Sequence, residues 1–507
     1  MRFKALLLCA LAVSLCRAVP AGAADFSQLK SQVKEYTLPN GLTFIVVERP
    51  ESPVFSFQTY VDAGGVDELT GSTGIAHMFE HMAFKGTPTI GTTDYEAEKA
   101  AMAEEDRLWA AIEAEMNKGQ DADEAKLEAL RAEFEAAQDK AQEYVITNEY
   151  SKILNENGVA GLNASTFTDW TKYYYSLPSN RLELWARLEG DRMTNTVLRE
   201  YYKERDVVYE ERRMQESSPT GRLFMDWINS TYQAHPYGIG GVIGHSSDLK
   251  RLTREDADYF YDKYYVGSNM TVALVGDVKF DQVKKLADTY FSGVRKGEDP
   301  PPLRTVEPRH EYEVRVIRED DASPVVIIGY HIPSRSDKTW FANELLGDVI
   351  GMGRSSRLYK RLVKEDKIAA QTFAGSGFLG NKYPSLLIVQ ALVSKDSTPE
   401  AVEAAIYEEL ERLAEEGPTQ EELARVKTMN KAQFIRGLRS NSGLAGQLAE
   451  FEEKLGDWRK LFDYVDEIEA VTAEDVKAAA KEALRADNRT VGVLKKKSED
   501  KKAEPAS

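Results

Sequence analysis

The chain has 507 residues, 42% hydrophobic and 29% charged, with a formal net charge of −18 and two cysteines. That length exceeds one ordinary domain, and the acidic balance disfavours nucleic acid and anionic membrane as partners while suiting basic peptides. Both cysteines, Cys9 and Cys16, fall within a leader, so disulfides, thiol catalysis and cysteine metal ligation are excluded from the mature chain.

The leader covers residues 1–23. Arg2 and Lys4 precede an apolar run over residues 5–13, and Ala21, Gly22 and Ala23 offer a small-residue cleavage pattern. Removing Arg2, Lys4 and Arg17 takes the net charge to −21 (−18 − 3). No later stretch has the ~20 uninterrupted apolar residues of a membrane span. The expectation is an exported, periplasmic protein with no integral membrane segment, cleaved near Ala23.

The first half is assigned to residues 27–296. Residues 36–38, a Pro39-Asn40-Gly41 turn and residues 42–48 read as paired strands. The stretch His77-Met78-Phe79-Glu80-His81 follows. On a helix, residues four apart share a face, so His77 and His81 project together and can share one zinc ion. Glu80, three residues from His77, can take a proton from a water bound beside them. Residues 94–148 then read as an antiparallel helical hairpin turning at Asn117-Lys118-Gly119-Gln120-Asp121. Trp109, Ile112 and Met116 face Leu127, Leu130 and Phe134 at helical spacing. With 16 acidic and 6 basic residues (−16 + 6 = −10), this segment reads as a solvated hairpin, or as a docking arm or lid beside a cleft.

A catalytic zinc usually takes three protein ligands. The helical pattern between Leu198 and Glu216 can supply the third, because Glu204 and Glu211 lie seven apart, two turns on one face. Spacing alone does not choose among Glu204, Glu210 and Glu211. His235 lies in a loop, and His245, His310 and His331 have no partner at ligand spacing, so these four read as structural.

Two segments repeat. Leu252-Thr253-Arg254-Glu255-Asp256 matches Val471-Thr472-Ala473-Glu474-Asp475, and Asn269-Met270-Thr271-Val272 matches Asn488-Arg489-Thr490-Val491. Both offsets are 219 (472 − 253 and 488 − 269). In each copy a threonine caps a helix that leads to a β-branched strand, as expected of an internal duplication. The join is placed at residues 297–308, where Pro300, Pro301, Pro302 and Pro308 interrupt regular structure. The second half is assigned to residues 309–494, opening with strands at 312–317 and 325–331. The lysine-rich residues 495–507 read as a disordered tail.

The order HMFEH (77–81) then ERDVVYEE (204–211) resembles the inverzincin metallopeptidases, the family of pitrilysin, insulin-degrading enzyme and the mitochondrial processing peptidase β subunit. LPNGL (38–42), GIAHMFEHMAFKGT (74–87), NASTFTDWTKYY (163–174), HPYG (235–238) and SRL (356–358) also match family landmarks, so the similarity spans nearly the whole mature chain. The resemblance is to a zinc-binding subunit of the short bacterial type. It implies an α+β fold of two homologous domains, each a mixed sheet flanked by helices, with the helical hairpin inserted in the first. It implies one zinc per chain held by His77, His81 and Glu211, with Glu80 as general base and Glu204 as a supporting carboxylate. Asn163 and Ala164 would lie on an edge strand that holds an extended peptide.

The implied activity is zinc-dependent endopeptidase cleavage of peptides or unfolded segments in a chamber between the halves. The alternative is a non-catalytic or weakly active peptide-binding subunit. Two departures bear on this. Family members usually carry an arginine and a tyrosine shortly after SRL, where this chain has Val363 and Ala370. Arg361 or Tyr359 could substitute, but the expectation is that a homologous subunit supplies the pair, as a heterodimer or homodimer. The 129 residues between His81 and Glu211 (211 − 81 − 1) also exceed the family's usual spacing by about the length of the hairpin.

Overall fold

The computed structural model describes residues 26–239 and 241–497, so the leader lies outside the described residues. The first half opens with β1 (Val33–Thr37), β2 (Thr43–Glu48) and β3 (Val54–Val61), followed by helix α1 (Ile75–Met82). The hairpin helices α2 (Tyr95–Met116) and α3 (Glu124–Gln142) precede β4 (Ala160–Thr166) and β5 (Thr171–Pro178). Helices α4 (Tyr201–Ser217), α5 (Pro219–Thr231) and α6 (Arg254–Tyr264) then lead to β6 (Met270–Gly276).

The second half runs β7 (Val314–Asp320), β8 (Val325–Ile332), α7 (Trp340–Gly351), β9 (Ala369–Phe378) and β10 (Ser385–Val393). Helices α8 (Pro399–Glu416), α9 (Gln420–Arg439), α10 (Asn441–Leu455) and α11 (Ala473–Ala483) precede the last strand, β11 (Arg489–Lys496).

The strands form two mixed sheets, ordered β1-β2-β6-β3-β5-β4 and β7-β11-β8-β10-β9. In each sheet one pair is parallel, β2 with β6 and β7 with β11, and the remaining pairs are antiparallel. Without β1 the two orders are the same. The local chemistry repeats as well. Thr253 and Asp256 cap each other's backbone N–H groups at the start of α6, and Thr472 and Asp475 do so at α11. The fold is α+β, two homologous units of sheet and flanking helices.

Each half lends a helix to the other's sheet. α5, from the first half, lies on the second sheet, where Trp227 Nε1 donates to Thr490 O at 3.0 Å. Gly329 and Gly492 make room for the indole, since a Cβ at either would come within 2.6 or 3.1 Å of it. α10, from the second half, covers the first sheet, burying Leu444, Leu448 and Ala449 against Ile45, Val47, Tyr60 and Val275. Ser218 caps α5 through Gly221 N, and Ser440 caps α10 through Gly443 N.

One face of the hairpin is packed and the other stays exposed. Its inner face joins the first core through Leu108, Ile112, Leu127 and Phe134. Phe134 meets Tyr202 of α4 at 5.2 Å, and the Arg205 guanidinium lies 3.9 Å over Trp109. Three of its glutamates are buried, each with cationic partners. Glu98 binds Arg199, Glu105 binds Arg254, and Glu115 binds Lys118 and Lys126. The tail assignment is corrected. Lys495 and Lys496 belong to β11 and pair with Glu319 and Asp320 of β7, because the parallel partner continues that far. Residues 498–507 lie outside the described residues.

Candidate metal centre

α1 starts at Gly74, whose φ of +89° places it in the left-handed region, and a Cβ there would lie 2.6 Å from Ile243 O. The Glu68 carboxylate accepts the N–H groups of Gly74 and Ala76 at 2.7 and 2.9 Å, filling the role of a missing N-cap side chain. Ile75, Ala76, Met78, Phe79 and Met82 are buried, with Phe79 stacked on Tyr261 at 5.0 Å. Fixing that face turns His77, Glu80 and His81 towards α4 and β4.

His77 Nε2 and His81 Nε2 each lie 3.9 Å from a Glu211 carboxylate oxygen, and the two rings sit edge to face at 4.8 Å. The three ligand atoms fall within 4.8 Å of one another. Glu210 points elsewhere and pairs with Arg213, so Glu211 is the one of these two neighbours that the fold brings to the histidines. Glu204 reaches the far side of His81, with Oε2 3.4 Å from Nδ1, and its other oxygen takes the Lys85 ammonium. The bond to His81, with Lys85 behind it, holds the Glu204 carboxyl down to about 2, and the same bond raises the His81 pKa. Burial, reinforced by His81, pushes His77 down to about 4, so its imidazole is neutral near pH 7. Two neutral-capable imidazole nitrogens and a carboxylate oxygen, with one imidazole oriented by a second carboxylate, fit the donor set of a catalytic zinc.

Glu80 lies on the same face, and Thr166 Oγ1 donates to its Oε2 at 2.7 Å. Burial raises the Glu80 pKa while Thr166 opposes the rise, moving the carboxyl towards the range useful for proton transfer. Thr166 ends β4, an edge strand whose outer side has no strand partner among the described residues. On that strand Ala164 is buried opposite Tyr173, and Asn163 is exposed with Nδ2 donating to Tyr174 OH at 3.3 Å. A cavity of about 800 Å³ opens beside His77 and Glu211 and is walled by Phe224 and Ile228 from the first half and Phe378 and Leu379 from the second. Residues 43–116 match the family model described as Insulinase (Peptidase family M16), and residues 251–430 match the Peptidase M16 inactive domain. The chain belongs to peptidase family M16.

The relatives agree with that placement. The zinc protease PqqE of Helicobacter pylori is 27% identical over 467 residues, covering 90% of this chain and 92% of that protein. The crystal structure of a protease from Helicobacter pylori superposes with a TM-score of 0.75 at 26% identity, covering 91% of this chain and 99% of the other. A peptidase M16 inactive domain from Pseudomonas fluorescens shares the fold, with a TM-score of 0.72 at 16% identity over 92% and 98% of the two chains.

Sequence reasoning passed over Thr166, Lys85 and Glu68. Thr166 stands inside the NASTF segment and Lys85 shortly after the second histidine, but their roles appear only when β4, α1 and α4 meet. In the second half, Asn430 stands where the 219-residue repeat places the counterpart of Glu211 (430 − 219 = 211). It donates to Asp348 of α7 at 2.6 Å, so that pair of helices is joined by an amide and a carboxylate where the first half has its histidines and glutamate.

Proposed function

We propose that this M16 protein is the metal-bearing subunit of a zinc endopeptidase acting on extended or unfolded peptide segments. The carrying observation is that Glu80 faces the His77, His81 and Glu211 cluster while hydrogen-bonded to Thr166 on the free edge of β4. Bound by His77, His81 and Glu211, zinc would supply Lewis acidity to a water and to the scissile carbonyl.

An extended peptide adds to the β4 edge through its backbone, with Asn163 and Ala164 alongside, which gives affinity without demanding one sequence. Phe224, Ile228, Phe378 and Leu379 favour a bulky apolar side chain in the neighbouring cavity. Thr166 occupies Oε2 of Glu80, which leaves Oε1 to take the proton of the attacking water and return it to the departing amine. Glu204 holds His81 by Nδ1 so that Nε2 points at the metal position. Glu204→Gln is therefore expected to weaken zinc binding about 10–100-fold, measured by competition with a chelator. Unchanged affinity would remove Glu204 from the site.

The positions shortly after SRL offer no free arginine for the developing oxyanion. Val363 packs against the second core, and Arg361 is held by Asp366 at 2.5 Å and Glu408 at 3.1 Å. These contacts favour a homologous partner subunit that supplies the arginine and tyrosine. Zinc-loaded chain alone is expected to cleave an unstructured peptide slowly, and addition of that partner to raise kcat about 10²-fold, the usual effect of one oxyanion donor. The same contacts also support the second reading, a peptide-binding subunit without turnover. That reading prevails if zinc-loaded chain with partner binds the peptide and leaves it uncut.

A further inference from the structure

Four of the chain's histidines lie outside the candidate centre, and the fold brings two of them together. His310, just past the join of the halves, has a side chain 1% exposed, and neither of its ring nitrogens has a hydrogen-bond partner. His331, on β8, stacks edge to face with it at 4.8 Å. His331 Nε2 lies 2.9 Å from Thr231 O, a bond that requires the proton on Nε2 and leaves the unpartnered Nδ1 with a free lone pair. Glu307 Oε1 sits 3.6 Å from His310 Nε2, and its side chain is 5% exposed. One ligand atom from each of Glu307, His310 and His331 falls within 4.8 Å of the other two, the same closeness as in the His77, His81 and Glu211 cluster.

We propose that Glu307, His310 and His331 form a second metal site, selective for a zinc-class divalent ion, at the junction of the two halves. Two imidazoles and a carboxylate are a borderline donor set that suits zinc, cobalt(II) or nickel(II) rather than magnesium or calcium. Ligand atoms about 2 Å from a tetrahedral ion stand about 3.3 Å apart, so the 3.6 Å separation of His310 and Glu307 needs only a small contraction.

The competing explanation, a buried imidazolium at His310 paired with Glu307, fits less well. It would place two N–H donors in the interior with no acceptor in hydrogen-bond geometry. His235, whose unpartnered Nε2 lies nearby, is not a ligand. Its Nδ1 accepts from Tyr237 N at 3.2 Å, so its proton is on Nε2. Two of the three ligands, His331 and Glu307, already have the outer partners that orient a metal ligand. Thr231 O fixes the His331 tautomer, and the Glu307 carboxylate is fixed by the N–H groups of Gln233, Ala234 and His235 at 2.7, 3.1 and 2.8 Å. The ion would join the end of α5, the connecting segment and β8.

Metal equivalents retained after gel filtration decide the matter, with cobalt(II) as the probe because its visible bands report tetrahedral nitrogen and oxygen ligation. The full-length wild-type chain is expected to hold two equivalents, the His77→Ala/Glu211→Ala variant one, and that variant carrying His331→Gln close to none. Glu307→Gln gives the same final count if His331→Gln does not fold, with circular dichroism as the check. One equivalent in the wild-type chain and none in the His77→Ala/Glu211→Ala variant would overturn the site. So would an equivalent that survives both His331→Gln and Glu307→Gln.

Discussion

Glu80→Gln is expected to abolish peptide cleavage, by about 10³-fold or more in kcat, while zinc content stays at the wild-type level. The substitution keeps size and shape, and the amide oxygen can still accept the Thr166 hydroxyl that now bonds Oε2. His77, His81 and Glu211 are untouched, so the metal set is preserved. The amide has no affinity for a proton near neutral pH, so it can neither take one from water nor deliver one to the leaving amine. Initial rates on an unstructured fluorogenic peptide, measured with the partner present and alongside metal analysis, give the result. Full turnover by the variant would end the assignment of Glu80 as the base. Loss of zinc together with activity would instead make it a structural residue.

Arg199→Met is expected to destabilise the fold by about 3–5 kcal/mol, through the charge it strands and not through the volume it removes. Arg199 is 1% exposed and binds Glu98 through Nε and Nη2 at 2.8 and 3.2 Å. It also donates to the carbonyls of Lys85, Ile90 and Thr87 at 2.7, 2.8 and 2.9 Å. Gly86 and Gly91 crowd this guanidinium so closely that a Cβ at either would stand 2.6 Å from Nη1. Methionine leaves a fully buried carboxylate without a counter-ion and the Lys85 carbonyl without its donor, while Ile90 O and Thr87 O keep the N–H groups of Thr87 and Ile90. The urea midpoint should fall accordingly, and Arg199→Met/Glu98→Leu should lose much less than the sum of the single changes. A shift below about 1 kcal/mol in the single variant would show that the network carries little stability. Because Lys85 follows α1 and grips Glu204, the same network sets the position of the metal helix.

The metal helix was legible because its signal is local. Two histidines four apart and a glutamate between them need only a helix to share a face. Glu211 was not separable from Glu210 by the same means, since neighbours on a helix differ by about 100° and only packing decides which one turns inward. Here Arg213 holds Glu210 away. The burial of glutamates in the hairpin was not legible for a related reason. Glu98 and Glu105 find Arg199 and Arg254, about 100 and 150 residues away (199 − 98 = 101 and 254 − 105 = 149), and no local pattern announces such pairing. Lys495 and Lys496 read as tail because lysine is common in tails, but β7 offers parallel bonding to any backbone that continues. His310 and His331 lie 21 apart (331 − 310), which no ligand spacing rule covers.

The exchange of α5 and α10 has a consequence for where the chain can be divided. Either half expressed alone would carry a sheet with one face bare and a helix with nothing of its own beneath it. The two sheets are separate, but the folding unit is the pair, and a cut in the proline-rich connection leaves each half in need of the other.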